Sequence, residues 1–229
     1  MKGGDDLKRT WGALALSVFI AIMVPVAWCM LMFSRSDIAL TAMGLYSLKF
    51  FTVLSNLLLG AASLVYAVCL ARFLRTGARV PHWAYLLKYA GTVATTVTLM
   101  TVLLFLGPTM GYPFMFMGAN LWLHLIIPVA GIVEFVFFDV QYRLSFKETL
   151  VGVVPTLLYG IAYCANILIN GVGTFPNTND WYGFTMWGVQ FMPVVLLVML
   201  LATWLFAVLV RLGNTKANYL GREAKTDQG

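Results

Sequence analysis

Six long apolar runs constrain the fold of this sequence more than any other feature. A helix that crosses the roughly 30 Å hydrocarbon core of a bilayer needs about 20 apolar residues, and it satisfies its backbone hydrogen bonds internally. We therefore predict an all-α integral membrane protein, a six-transmembrane-helix bundle that forms a single domain over residues 1–229. The predicted spans are residues 11–33, 48–70, 83–106, 118–138, 149–169 and 187–210.

The composition argues against a soluble protein. Hydrophobic residues make up 61% of the chain and charged residues only 10%, so we expect no appended soluble domain. The net charge of +6 comes from Lys and Arg residues scattered at the ends of the apolar runs. Because these residues do not gather on one face or in one block, we expect no nucleic-acid partner.

The positions of Lys and Arg predict the orientation in the membrane. They precede the first run and follow the second, fourth and sixth, whereas the loops after the third and fifth runs contain neither. Short loops rich in Lys and Arg stay on the cytoplasmic side. We therefore predict cytoplasmic N- and C-termini, with the loops after the first, third and fifth spans on the extracytoplasmic side.

Polar side chains near the start of the second span form the first group of functional candidates. Such residues are costly in hydrocarbon and often mark function. The span begins LKFFTVLSNLL, which places Lys49, Thr52 and Asn56 on one helix face, with Ser55 beside them.

The fourth span begins GANLWLHLIIP, with Asn120 one turn before His124. Both spans run inward, so Thr52 and His124 lie at similar depths, about 6 and 9 Å below the outer surface at 1.5 Å per residue. An imidazole can accept the hydroxyl proton of a threonine that attacks a carbonyl group. Ser55, Asn56 or Asn120 could then donate hydrogen bonds to the oxyanion.

A structural interpretation of these residues stays open on spacing alone. A threonine hydroxyl in a membrane helix commonly bonds to the carbonyl four residues back, and a histidine can simply link two helices. Glu134 lies about 15 Å along the helix from His124, too far to orient its ring. Tyr163 and Asn166 belong to a polar stripe on the fifth span, which favours either a polar cavity that opens outward or hydrogen bonds between helices.

The segments FFTVLSNLL and NLWLHLIIP resemble the two signature segments of the androgen-induced and androgen-dependent TFPI-regulating family of six-helix membrane proteins. Members of that family are threonine hydrolases that cleave fatty acid esters of hydroxy fatty acids. The resemblance implies that Thr52 is the nucleophile and His124 the base, and it extends to Asn56 and Asn120. The sequence between the two segments diverges from the family, which leaves the natural substrate open.

We accordingly expect an intramembrane lipid ester hydrolase whose active site lies toward the extracytoplasmic side. Its partners would be a lipid ester substrate and membrane lipid, with no metal or organic cofactor, and its oligomeric state is open. Lys49, one turn above Thr52, would pair with a substrate carboxylate or extend to the interface. The alternative is a transporter or lipid-binding protein without catalysis. The predicted site residues are Thr52 and His124 as catalytic groups, and Lys49, Ser55, Asn56, Asn120, Tyr163 and Asn166 as oxyanion or substrate-binding groups.

Overall fold

The computed structural model describes residues 4–33, 44–174 and 178–220, and this part of the chain contains helices and no strand. Six helices are long and apolar enough to cross a membrane, which confirms the predicted number of spans. We number them α1 to α6. Their ranges are Gly4–Phe33, Phe51–Thr76, His82–Met110, Ala119–Phe138, Lys147–Asn170 and Val189–Asn218.

Several helices extend beyond the apolar runs that predict them. α2 continues to Thr76 rather than residue 70, and α6 continues to Asn218 rather than residue 210. Apolarity marks the part of a helix that lies in hydrocarbon, whereas helical hydrogen bonding continues into the polar interface. The end of α2 is set by Gly77, whose φ of 72° provides the left-handed conformation of a helix C-cap.

Both ends of the described chain lie at the same end of the bundle. The Arg9 guanidinium in α1 donates a hydrogen bond to the Ala217 carbonyl in α6 at 3.2 Å. We call this the terminal end of the bundle. Residues 44–50 and 111–118, with the described residues between α5 and α6, lie at the opposite end, which we call the distal end.

α3 lies at the centre of the bundle. Of the most apolar 18-residue segment of α3, 67% is buried inside the bundle. The corresponding share for α6 is 17%. Close approach to α2 depends on a small residue, because a Cβ atom at Gly91 would lie 2.9 Å from the Cα atom of Leu59. The hydroxyls of Thr92 and Thr96 bond to carbonyls of their own helix, so they need no partner on a neighbouring one.

Candidate functional site

The distal parts of α2 and α4 lie side by side and are linked by Asn56. This side chain is completely buried, and its Nδ2 atom donates to the Thr52 carbonyl at 2.7 Å and to the Leu123 carbonyl at 2.9 Å. One nitrogen atom therefore holds the two carbonyls together across the helix interface. Because His124 directly follows Leu123, Thr52 and His124 lie on neighbouring turns of two helices in contact.

A change of hydrogen-bond register in α4 makes the Leu123 carbonyl available. Residues Trp122–Ile126 form a π-helical turn, in which the Ile127 N–H bonds to the Trp122 carbonyl. The residue five positions after Leu123 is Pro128, which has no N–H to donate. The Leu123 carbonyl therefore takes its donor from Asn56. Such π turns occur frequently at functional sites.

The His124 ring is held in one orientation by the loop that precedes α4. Its Nδ1 atom lies 2.8 Å from the Met115 carbonyl oxygen, and the residue is only 7% exposed. A carbonyl can only accept, so Nδ1 carries the proton, and Nε2 has the free lone pair of the neutral ring. Gly118, with φ of 57°, allows the backbone to turn between Met115 and His124. His124 thus has the tautomer of a general base that acts through Nε2.

Thr52 is half-buried at the second residue of α2, and its hydroxyl makes no hydrogen bond to any other described residue. The hydroxyls of Thr92 and Thr96 in α3, by contrast, donate to backbone carbonyls of their own helix. The nearby Ser55 hydroxyl donates to the Thr52 carbonyl at 3.1 Å and lies 2.9 Å from the hydroxyl oxygen of Thr98. Ser55 is therefore bound to α3, whereas the Thr52 hydroxyl is available for chemistry.

Lys49 precedes Thr52 by three residues, and Asn120 precedes His124 by four. The Lys49 ammonium lies 5.2 Å from the ring centre of Phe50 and 5.1 Å from that of Trp181, and it makes no ion pair within the described residues. Such contacts stabilise a cation without neutralising it. The half-buried Asn120 amide makes no side-chain hydrogen bond to another described residue, so its N–H groups remain available.

Tyr163 and Asn166 of α5 bond to neighbours other than Thr52 and His124. The Tyr163 hydroxyl donates to the Asp180 carboxylate at 2.6 Å and accepts from the Tyr182 N–H at 2.9 Å. The Asn166 side-chain oxygen accepts from Asn170 at 2.9 Å. The polar stripe predicted on α5 thus bonds to the loop that follows it and to itself.

Asp180 organises that loop and is absent from the predicted site residues. Its carboxylate accepts from the Phe184 N–H at 2.7 Å, from the Thr185 N–H at 2.9 Å, and from the Tyr163 hydroxyl. Burial acts to raise the pKa of Asp180, but the hydrogen bonds from Thr185 and Tyr163 favour the charged form and hold that pKa below its ordinary value. A lone acidic residue among aromatic residues, in NDWYG, is the sequence signal for this arrangement.

Tyr182 connects the same loop to the start of α2. Its hydroxyl accepts a hydrogen bond from the Phe51 N–H at 2.9 Å, one residue before Thr52. The Trp181 indole donates to the Tyr159 hydroxyl at 3.1 Å, and that hydroxyl donates to a carbonyl just before α2. The loop after α5 therefore lies against the distal end of the candidate site.

A buried ion pair lies deeper in the bundle. Lys88 in α3 and Glu134 in α4 are completely buried, and their charged atoms are 2.6 Å apart. Lys88 also donates to the Ser63 hydroxyl of α2 at 2.6 Å, and Glu134 accepts from the Ser17 hydroxyl of α1. Lys88 is absent from the predicted site residues, although a Lys within one span and a Glu within another is a recognisable signal. The network joins four helices.

Comparisons with known proteins yield no match to a family model, a curated protein or a solved structure. The family resemblance of the two helical segments therefore stays a prediction. The described residues contain no group of three or more His, Cys, Asp or Glu side chains that could hold a metal ion.

Proposed function

We propose that this chain is an intramembrane threonine hydrolase that cleaves lipid esters, with Thr52 as the nucleophile and His124 as the base. The observation that carries the proposal is the Asn56 bridge, which holds the Thr52 turn of α2 against the His124 turn of α4. The Thr52 hydroxyl, which has no hydrogen-bond partner in the described part of the chain, and the fixed tautomer of His124 support it. The resemblance of the two segments to a family of threonine hydrolases agrees with this chemistry.

In the proposed reaction, His124 Nε2 takes the Thr52 proton as the hydroxyl oxygen attacks the ester carbonyl. The tetrahedral intermediate then collapses, the leaving alkoxide receives the proton from His124, and the alcohol departs. Water attacks the acyl-threonine in a second step, which releases a fatty acid and restores the hydroxyl. The Asn120 side-chain amide, which has no hydrogen-bond partner among the described residues, is a candidate donor to the oxyanion. No metal or organic cofactor takes part.

The substrate we propose is a membrane lipid ester with long acyl chains, of which fatty acid esters of hydroxy fatty acids are the class implied by the family resemblance. Lys49 lies one turn before Thr52 at the distal end and carries a charge without an ion-pair partner in the described residues. An ammonium in that position suits a substrate carboxylate. From the distribution of Lys and Arg, we infer that this end of the bundle faces the extracytoplasmic side.

The test is covalent labelling with a fluorophosphonate probe, together with turnover of a lipid ester by the purified protein. Thr52→Ala should abolish both, while Thr52→Ser should retain labelling because it keeps a hydroxyl. Thr96→Ala is the matched control, since it removes a buried threonine hydroxyl whose described hydrogen bond goes to the Thr92 carbonyl of its own helix. His124→Ala should be as severe as Thr52→Ala. The double variant should be little worse than either single one, because residues that act in one step are strongly non-additive.

Retention of wild-type turnover by Thr52→Ala would exclude Thr52 as the nucleophile. Folding must be checked for His124→Ala, because the Met115 carbonyl loses its hydrogen-bond partner in that variant. A wild-type protein that shows neither labelling nor turnover with any ester would exclude the hydrolase.

A lipid-binding or transport function without cleavage is the second candidate. The observation in its favour is a groove of about 380 Å³ between α5 and α6, lined mainly by apolar side chains. It would accommodate an acyl chain from the bilayer. Its lining includes Cys164, Leu168, Met192, Pro193 and Leu196. Lipid binding by a wild-type protein that lacks turnover would favour this candidate.

A further inference from the structure

The helix that carries Thr52 begins after a residue that cannot cap it. The first four N–H groups of a helix have no acceptor within it, and a polar side chain just before the helix commonly supplies one. The residue before α2 is Phe50, whose side chain has no oxygen to offer. The N–H groups of Val53 and Leu54 bond to the Phe50 carbonyl at 3.1 and 3.2 Å. Those of Phe51 and Thr52 need an acceptor from outside the helix.

The hydroxyl of Tyr182, in the loop between α5 and α6, provides that acceptor from a point 131 residues away in the chain. Its oxygen accepts a hydrogen bond from the Phe51 N–H at 2.9 Å. Burial raises the pKa of Tyr182 to about 12, although the N–H groups of Phe51 and Thr52 both act to lower it. Both N–H groups therefore face the Tyr182 oxygen, which takes the place of a local cap.

Tyr182 is itself held in place by neighbours on α5 and in its own loop. Its N–H donates to the Tyr163 hydroxyl at 2.9 Å, and that hydroxyl donates to the Asp180 carboxylate at 2.6 Å. The Tyr182 ring packs against that of Tyr159, with ring centres 6.2 Å apart. The Tyr159 hydroxyl donates to the Lys49 carbonyl at 2.7 Å. Two phenol hydroxyls therefore hold the chain immediately before α2 and at its first residue.

We propose that Tyr182 is a positioning residue for the nucleophile, because its hydroxyl holds the first turn of α2 and so sets where the Thr52 hydroxyl lies. This inference rests on the proposed function. Thr52 is the second residue of α2, and only its Cα and Cβ atoms separate its hydroxyl oxygen from its backbone nitrogen. Helix ends fray, so a first turn without acceptors moves and carries the reacting oxygen with it. A displacement of about 1 Å can reduce a reaction rate about 100-fold.

The experiment compares kcat, KM and the rate of Thr52 labelling by a fluorophosphonate probe in the full-length protein. Tyr182→Phe keeps the ring and removes the acceptor oxygen. It should lower kcat and the labelling rate about 10-fold with KM within about twofold of wild type, because the substrate contacts remain while the nucleophile is misplaced. Tyr89→Phe is the matched control and should leave all three quantities unchanged. It removes a buried phenol hydroxyl that donates to the Ala207 carbonyl at 2.7 Å, between α3 and α6.

A second substitution should restore the helix start by different means. Proline is favoured at the first position of a helix, because its φ is already helical and it has no N–H to satisfy. Phe51 occupies that position in α2, and Phe50 before it has the extended conformation (φ −86°, ψ 134°) that a following proline requires. Addition of Phe51→Pro to Tyr182→Phe should therefore recover kcat to within about threefold of wild type. Phe51→Leu, which also removes the ring but keeps the N–H, should not recover it.

Wild-type or higher activity in Tyr182→Phe would overturn the inference, as would a raised KM with unchanged kcat. A loss of kcat that persists in the folded double variant with Phe51→Pro would also overturn it, because the phenol would then act by another route. If Tyr182→Phe does not fold, amide hydrogen exchange of the wild-type protein decides. The Phe51 and Thr52 N–H groups should be protected as strongly as that of Val53, and exchange at the rate of an unbonded amide would exclude the cap. Absence of wild-type labelling and turnover would instead refute the proposed hydrolase.

Discussion

Removal of one member of the Lys88–Glu134 pair should destabilise the protein strongly, whereas removal of both should not. The two charged atoms are 2.6 Å apart and both side chains are completely buried. Glu134→Leu would leave the Lys88 ammonium with Ser63 as its remaining described partner. Lys88→Met would leave the Glu134 carboxylate with Ser17 as its remaining described partner.

The expected magnitude follows from the burial of the pair. An uncompensated buried charge costs about 3–5 kcal/mol, whereas replacement of a whole buried pair by apolar residues of similar volume is neutral or stabilising by about 1–4 kcal/mol. Each single variant should therefore lose about 3–5 kcal/mol of the free energy of unfolding. The double variant Lys88→Met/Glu134→Leu should lie within about 1 kcal/mol of wild type or above it.

The assay is equilibrium unfolding in a lipid bicelle or mixed micelle, read out as a double-mutant cycle. The control is the more accessible His82–Glu148 pair, whose side chains are 46% and 21% exposed. Glu148→Gln should cost less than about 1 kcal/mol because solvent screens that pair. The double variant could instead lose as much free energy of unfolding as the two single variants combined. That result would refute the argument that each charge compensates the other.

Two further predictions concern membrane orientation and helix packing. A single cysteine introduced at Thr178 should react with a membrane-impermeant reagent added outside the cell. One introduced at Thr76 should react only from inside, and the opposite pattern would show that the inferred orientation is wrong. Gly91→Ala should cost about 1–3 kcal/mol of the free energy of unfolding through overpacking, because its Cβ atom would meet the backbone of Leu59, whereas Gly4→Ala, with no atom within 4 Å, should cost little. Equal unfolding free energies for the two glycine variants would contradict the close contact of α2 and α3.

The number and kind of elements follow from the sequence because their causes are local. Each apolar run is long enough to cross a bilayer, and a single span in hydrocarbon has to be helical. The sequence predicts the helix boundaries less well, because α2 and α6 continue past residues 70 and 210 into segments that are no longer apolar. Helical periodicity likewise places Thr52 and Asn56 on one face of α2.

The partners of the candidate residues depend on the neighbouring helix and its rotation. The spacing of Tyr163 and Asn166 correctly indicates a stripe, but the Tyr163 hydroxyl bonds to Asp180 in the following loop. The sequence shows that Asn56 is polar. Only its contact with the Leu123 carbonyl establishes that Nδ2 faces α4 and that Oδ1 is the atom without a described partner. The direction of an amide cannot be deduced from residue type.

Sequence alone determined that this chain is a bundle of six apolar helices, and it predicted similar depths for Thr52 and His124. Only the tertiary structure decided that Asn56 joins their turns and that Lys88 is paired with Glu134. A lysine near the start of a span has the same local sequence whether it extends to the interface or is buried against a carboxylate. Apolarity and helical period act over one or two turns of a single segment, whereas these contacts join residues far apart in the chain through the order and rotation of the packed helices.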